Sequence, residues 1–322
     1  MDRITLKGTD LEVSRLCMGT MTFGGQADET ASAAMVDACL EAGINFIDTA
    51  NVYTGGKSEE YLGRILKGRR DQVVLATKVR GQKSDDPSLL GLSRTAIAHA
   101  VEESLKRLQT DYLDLYYMHM PDYDVPLEES LEAMGKLVQA GKVRHVAASN
   151  YASWQMCRMH WLAEADGIPK VTVTQPMYNI LSRGLEAEYL PMCQDLGVAT
   201  VVYNPLAGGL LTGKHKRQAP EAGGRFDTNQ NYVERYWYDT NFDAVEELAG
   251  ACAEAGRSMV STALGWLLHH TKADGVILGA SRLEQLQENI AAAEEGPLSD
   301  DLLAACDRAW DRVRGVFPKY NR

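Results

Sequence analysis

The 322-residue chain has no run of five lysines or arginines, and its formal net charge is −11. Nucleic acid and anionic membrane surfaces both need a basic footprint, so neither is expected as a partner. An anionic small molecule needs only a few local cations and stays possible. No apolar stretch reaches the roughly 18 residues of a membrane-spanning helix. Met1-Asp-Arg-Ile-Thr-Leu6 does not read as a signal peptide, so a cytoplasmic protein is expected. The six cysteines, at 17, 39, 157, 193, 252 and 306, are scattered with no Cys-x-x-Cys pair. Reduced core thiols are expected, with neither a disulfide framework nor a zinc site, and no metal is called for. No Gly-x-Gly-x-x-Gly follows a strand pattern, which removes the main support for a Rossmann domain. Gly208-x₄-Gly213-Lys214 comes near a nucleotide-triphosphate loop. His215 stands where Ser or Thr would bind magnesium and no helix follows at once, so an ATPase is rejected.

What is present is ordinary for a soluble enzyme: 45% hydrophobic and 24% charged residues. Arg3–Leu6 and Leu11–Ser14 flank a Gly-containing turn and read as a β-hairpin. Short strands then begin at Leu16, Asn45, Val73, Leu113, Val143, Val171, Ala199 and Gly275, mostly apolar throughout, as parallel strands buried on both faces should be. Helix patterns separate them. In the segment from Ser93 to Leu108, for example, Ile97, Val101, Leu105 and Leu108 form one apolar face. A long segment to about Asp243 precedes two helices and the last strand, and helices from Leu283 and Leu298 close the chain. Alternating β and α units without a linker rich in Gly, Pro or Ser predict an α/β fold. Eight such units favour a single (β/α)₈ TIM barrel over residues 1–322, with an N-terminal hairpin and extra C-terminal helices.

In that architecture functional groups gather at the carboxyl ends of strands. Asp48 ends the second strand and Tyr53 stands in the loop after it; Lys78 ends the third and His119 the fourth. Singly, each is usually a cap, a packing ring, a solvated stem or a satisfied polar group. Jointly they complement each other. A phenol with a pKa near ~10 is a poor acid at neutrality. An adjacent ammonium is expected to lower that pKa, and a carboxylate paired with the lysine keeps it charged. A histidine could orient a carbonyl or relay the proton. The set suits proton delivery to a carbonyl oxygen as hydride reaches its carbon.

In their Asp-Thr-Ala-Asn-Val-Tyr, Ala-Thr-Lys and Tyr-Met-His contexts, Asp48, Tyr53, Lys78 and His119 resemble the catalytic tetrad of the aldo-keto reductases, a likeness that runs over essentially the whole chain. The resemblance implies Tyr53 as proton donor, Lys78 and Asp48 as its tuning pair, His119 as the carbonyl-orienting group, and NADPH as cofactor, with NADH possible. It also implies that Gly19, Thr20 and Met21 open the cofactor cleft. Ser149, Asn150 and Gln175 would hold the nicotinamide amide, and Tyr203 would stack on its ring. Asn204, Pro205, Leu206, Gly208, Leu210 and Lys214 would cover the pyrophosphate, with Arg225 nearby. Ser281, Arg282 and Gln285 would take the 2′-phosphate, Glu288 with Asn289 the adenine, and Gly279 and Ala280 would also be cofactor-binding. Ser281-x-x-Glu284 also has the capping-box form, so a plain helix cap at Ser281 stays open.

Ser149-Asn-Tyr-Ala-Ser-Trp154, Asn204–Lys214, Gly224-Arg-Phe226, Glu294-Glu-Gly-Pro-Leu298 and the terminal Arg322 look like the aflatoxin-aldehyde and succinic-semialdehyde reductase branch. Matching arginines there imply that Arg322, with Arg225, favours carboxylate-bearing aldehydes. Arg80–Gly91 is closer to bacterial-type members. Phe23, Trp154, Tyr232, Tyr236 and Trp237 are candidates for the walls of a substrate pocket; equally, Tyr232–Tyr238 could be an interface or a packed loop. The expected partner is a small-molecule carbonyl compound, and the chain could be a monomer or a homo-oligomer. The same tetrad also fits a sugar or polyol dehydrogenase running oxidatively, or a nicotinamide-sensing regulatory subunit.

Overall fold

The computed structural model describes residue 1 and residues 3–81, 84–220 and 224–316. Strands β1 (Arg3–Thr5) and β2 (Glu12–Ser14) form the antiparallel hairpin. Eight further strands are β3 (Leu16–Gly19), β4 (Phe46–Asp48), β5 (Val74–Val79), β6 (Leu113–Met118), β7 (Val143–Ser149), β8 (Val171–Gln175), β9 (Ala199–Val202) and β10 (Gly275–Gly279). They pair in parallel in that order, and β10 closes on β3 to complete a barrel.

The helices are α1 (Glu29–Glu41), α2 (Lys57–Ile65), α3 (Arg94–Leu108), α4 (Leu127–Gln139), α5 (Ser153–Asp166) and α6 (Tyr189–Asp195) in the first six βα units. Three more, α7 (Arg225–Thr228), α8 (Gln230–Tyr236) and α9 (Asp239–Glu254), follow β9 before α10 (Met259–His270). After β10 come α11 (Leu283–Glu294) and the additional α12 (Asp300–Arg314). The expected long segment after β9 therefore holds two short helices, α7 and α8, too short to show a period in sequence. No helix of the described residues is long and apolar enough to cross a membrane. All six cysteines are free and five are buried.

Side-chain alternation divides the core in two. Cys17, Phe46, Val74, Ala76, Leu115, Tyr117, Ala147, Val173, Ala199, Val201 and Ile277 form one cluster. Leu6, Leu11 and Val13 of the hairpin belong to it, so this is the barrel interior with β1–β2 closing its amino-terminal end. The intervening residues, such as Met18, Ile47, Leu75, Tyr116, Met118 and Val202, belong to the larger cluster shared with the helices. Because both faces are covered, all six residues of β5 and of β6 are buried. That is why these strands read as continuous apolar runs rather than as alternating ones.

Candidate active site

The alternation fixes which residues crown the interior. Counting by twos from the interior cluster, the last inward positions are Gly19, Asp48, Lys78, His119, Ser149, Gln175, Tyr203 and Gly279. Each strand, or the residue just past it, contributes one. All eight were sequence candidates, and the fold brings them into one layer.

Lys78 has no exposed surface and Asp48 is 2% exposed. The Lys78 ammonium forms an ion pair with Asp48 Oδ1, donates to the Thr49 carbonyl at 2.7 Å and lies 3.3 Å from Tyr53 Oη. Burial alone would push Lys78 down, but Asp48 and Tyr53 outweigh it and raise its pKa. Gln175 Nε2 donates to the second Asp48 oxygen at 2.8 Å. Tyr53 is half-buried, and the His119 ring meets it edge-on, with centroids 6.0 Å apart at 80°.

One expectation is corrected. Burial raises the Tyr53 phenol above its ordinary value; Lys78 opposes this without overcoming it, and Asp48 adds to the rise. Tyr53 is thus held protonated. His119 is pulled down to about 3 by burial first and then by the Lys78 charge, and its Nδ1 is buried without a hydrogen-bond partner. It is a neutral imidazole at physiological pH.

Beside the tetrad, Asn150 adopts φ +62°, which brings its amide back over the strand ends. Its Nδ2 donates to the His119 carbonyl at 2.9 Å and to Ser149 Oγ at 3.0 Å, and Tyr203 Oη donates to its Oδ1 at 2.8 Å. Ser149 Oγ donates to the Gln175 carbonyl at 2.7 Å. The loop from Asn204 turns tightly because Asn204 Oδ1 accepts from the Gly208 amide at 2.6 Å. Gly208 has φ +72°, and a Cβ there would stand 2.7 Å from the Tyr232 ring, so only glycine lets the loop close on α8. Pro205 and Leu210 are buried supports, Leu206 is part-buried, and Lys214 is exposed. Arg225 lies over the Tyr232 ring at 5.0 Å.

On the far side, Thr20 is buried, its hydroxyl donating to the Asp48 carbonyl at 3.1 Å, and Met21 is exposed. Ala280 is buried and its carbonyl accepts from Thr22 Oγ1 at 2.6 Å. The expected cap at Ser281 is shifted: Arg282 is the N-cap of α11 and no side chain caps it. Instead Gln285 Oε1 accepts from the Ser281 amide at 3.1 Å, because the helix starts one residue later than the Ser-x-x-Glu pattern suggests. Arg282 and Glu288 are exposed, whereas Asn289 is buried with Nδ2 unpartnered among the described residues.

The substrate candidates fare unevenly. Phe23 is fully buried, and its carbonyl accepts from Thr54 Oγ1 at 2.6 Å. Trp237 is part-buried and packs edge-on against Phe226 and Phe242 with centroids 5.0 and 4.9 Å away. Tyr236 is also buried, and its hydroxyl holds Asn204 and Asn179. Trp154 is 61% exposed at the start of α5. Arg322 lies outside the described residues. Sequence reading gave no role to Thr49, whose carbonyl holds Lys78, or to Arg80, a non-glycine at φ +95° just past β5.

A buried lysine paired with a carboxylate and touching a protonated phenol, ringed by amides, is a site for proton delivery to a polar double bond. The sequence model of the aldo/keto reductase family matches residues 15–311. The chain belongs to this family. It is 39% identical to aflatoxin B1 aldehyde reductase member 2 of Rattus norvegicus, over 95% of this chain and 87% of that one. It is likewise 39% identical to aldo-keto reductase family 7 member A3 of Homo sapiens, over 95% and 96%. Aldo-keto reductase YhdN of Bacillus subtilis (strain 168) is 36% identical over 89% and 87%. The protein is therefore an NAD(P)H-dependent oxidoreductase acting on small carbonyl compounds.

The residues present fit a nicotinamide dinucleotide. The unpartnered Asn289 amide offers a buried donor to a heterocycle. Gly279 leaves open space, with nothing within 4 Å of where a Cβ would stand. Ser149, Asn150 and Gln175 form a cluster of amide and hydroxyl groups suited to a carboxamide.

Proposed function

We propose that the protein reduces aldehydes to alcohols with NADPH, Tyr53 giving the proton. The observation that carries this reading is the placement of the Lys78 ammonium between Asp48 and Tyr53 Oη in the topmost interior layer. Ser149, Asn150 and Gln175 would hold the carboxamide end of the cofactor, Tyr203 the ring face, and the Asn204–Lys214 loop with Arg225 the pyrophosphate. Ser281 and Arg282 would meet the 2′-phosphate, with Glu288 and Asn289 at the adenine. Because Gln285 is turned back onto Ser281, Arg282 is the cation of that turn, and NADH is expected to bind more weakly than NADPH but to be used. Bound there, the reduced nicotinamide supplies the hydride for the carbonyl carbon.

The chain's own groups do the rest. His119, neutral and beside Tyr53, would orient the carbonyl oxygen through its ring. Tyr53 Oη passes its proton to that oxygen as negative charge develops. Lys78 stabilises the resulting phenolate, and Asp48 keeps Lys78 charged. Burial that holds Tyr53 protonated accords with the donor role. A cytoplasmic location accords with this activity, and aldehydes that carry a carboxylate are the expected preferred substrates.

The test is Tyr53→Phe, followed by NADPH fluorescence quenching and by NADPH oxidation with 4-nitrobenzaldehyde. Turnover is expected to fall about 10²–10⁴-fold while NADPH still binds. Unchanged turnover would remove Tyr53 as the donor, and binding without turnover even in the unmodified protein would favour a sensor.

A further inference from the structure

Arg80 stands two residues beyond Lys78, where β5 has just ended. Its backbone takes φ +95°, a region that costs a non-glycine residue strain, and Gly81 follows at φ +94°. The side chain is 27% exposed, yet its guanidinium makes no hydrogen bond among the described residues, and its Nε is buried without one. Its nearest carboxylate, Asp122, stands 4.0 Å away, beyond hydrogen-bonding distance. Asp122 is already occupied: Oδ2 accepts from the Leu92 amide at 2.8 Å and Oδ1 from the Asp124 amide at 3.2 Å. A half-buried guanidinium has five donors in a planar fork, and leaving them unused costs desolvation that a partner would offset.

Its position is the informative part. The His119 amide donates to the Val79 carbonyl at 2.9 Å, so Arg80 adjoins the catalytic histidine across the strand ends. The Arg80 charge is felt by His119, whose pKa it depresses, and by Tyr151, where it opposes the rise caused by burial. Tyr151 follows directly on Asn150, whose amide caps the His119 carbonyl. A cation held only by a long ion pair to Asp122 therefore lies at the mouth, just past β5, the third barrel strand, and beside the fourth, next to the group that orients the carbonyl.

We infer that Arg80 is a specificity-determining residue that receives the carboxylate of an anionic aldehyde whose carbonyl lies against Tyr53 and His119. A planar guanidinium matches a carboxylate by two parallel N–H···O bonds, which a neutral ester cannot reproduce. The assignment rests on the aldehyde-reductase reading above. It places the carboxylate at a different residue from the expected Arg322.

The experiment compares kcat and KM for 4-carboxybenzaldehyde and its methyl ester in the unmodified protein, Arg80→Gln, Arg80→Lys and Arg80→Gly. In Arg80→Gln the KM for the acid is expected to rise about 10- to 100-fold, with kcat and the ester parameters little changed. Arg80→Lys should retain part of the preference. Arg80→Gly should lose it while melting no lower than the unmodified protein, because glycine accepts φ +95° without strain. Equal losses on acid and ester would overturn the inference, as would a new inflection in the pH profile without a change in acid KM, which would mean that Arg80 acts through His119. Failure of the unmodified protein to reduce either aldehyde would refute the reductase reading itself and this inference with it.

Discussion

Lys78 keeps a charge in the barrel interior because an ammonium has three donors and three oxygens surround it: Asp48 Oδ1, the Thr49 carbonyl and Tyr53 Oη. Removing any one would leave a buried donor or charge unmatched, which costs more than the hydrogen bond itself contributes. The same crowding sets the protonation states. His119 is pulled down to about 3 by burial and the Lys78 charge, and Tyr53 is raised by burial. The acid form of Tyr53 and the neutral form of His119 therefore coexist across the physiological range. The reductive kcat/KM should stay level from about pH 6 to 9, declining only where Tyr53 ionises, above its ordinary value near ~10. A pH series in the reductive direction checks this, and an inflection near pH 6.5 that vanishes in His119→Asn would contradict it.

Among elements, the eight barrel strands and three of the polar groups at their ends were legible, because burial on both faces leaves a continuous apolar run ending on a polar group. Gln175 was reached only through the family resemblance, whereas Asp48, Lys78 and His119 announced themselves that way. Phe23 and Trp237 did not, since an aromatic in a loop looks the same whether it walls a pocket or packs beneath one. The loop of Phe23 is held by Thr54 Oγ1 on its carbonyl, a contact across 31 positions that the sequence does not display. Arg80 was equally silent, because φ is not written in a side chain. Gly63 marks another such contact. A Cβ there would stand 2.2 Å from the Arg107 carbonyl, so α2 and α3 cross at glycine distance. The same crossing carries the buried Glu59, which binds Arg107 at 2.7 Å and accepts from Thr77 Oγ1 on β5 beside Lys78. Gly63→Ala should gain about 1 kcal/mol of helix propensity. Driving a methyl into backbone costs about 1–3 kcal/mol or more, and parts the helices that hold Glu59. The net expectation is a lower melting temperature and a lower denaturant midpoint. A variant at least as stable as the parent would show that α2 can slide without loss.

At the scale of the whole molecule, two effects oppose each other as pH falls from 7 toward the sequence pI of about 5.2. The net charge of −11 shrinks, which relieves self-repulsion and favours the compact state. Against this, four of the seven histidines, His119, His160, His269 and His270, have folded pKa values lowered from 6.5, each by burial first. For such a group the unfolded chain binds a proton that the folded chain refuses. Stability then rises with pH and is lost as pH drops below about 6.5, for His119 progressively toward about 3. Repulsion among exposed charges is screened beyond about 8 Å at physiological ionic strength, whereas the desolvation of His119 and His160 is not. Histidine linkage should therefore dominate, with the urea midpoint falling from pH 7.5 through 6 to 5 in 0.15 M salt. His119→Asn should fall less over the same interval, since its share of the proton uptake is gone. A midpoint that climbs toward pH 5 in both proteins would mean that relief of the negative charge outweighs the histidines.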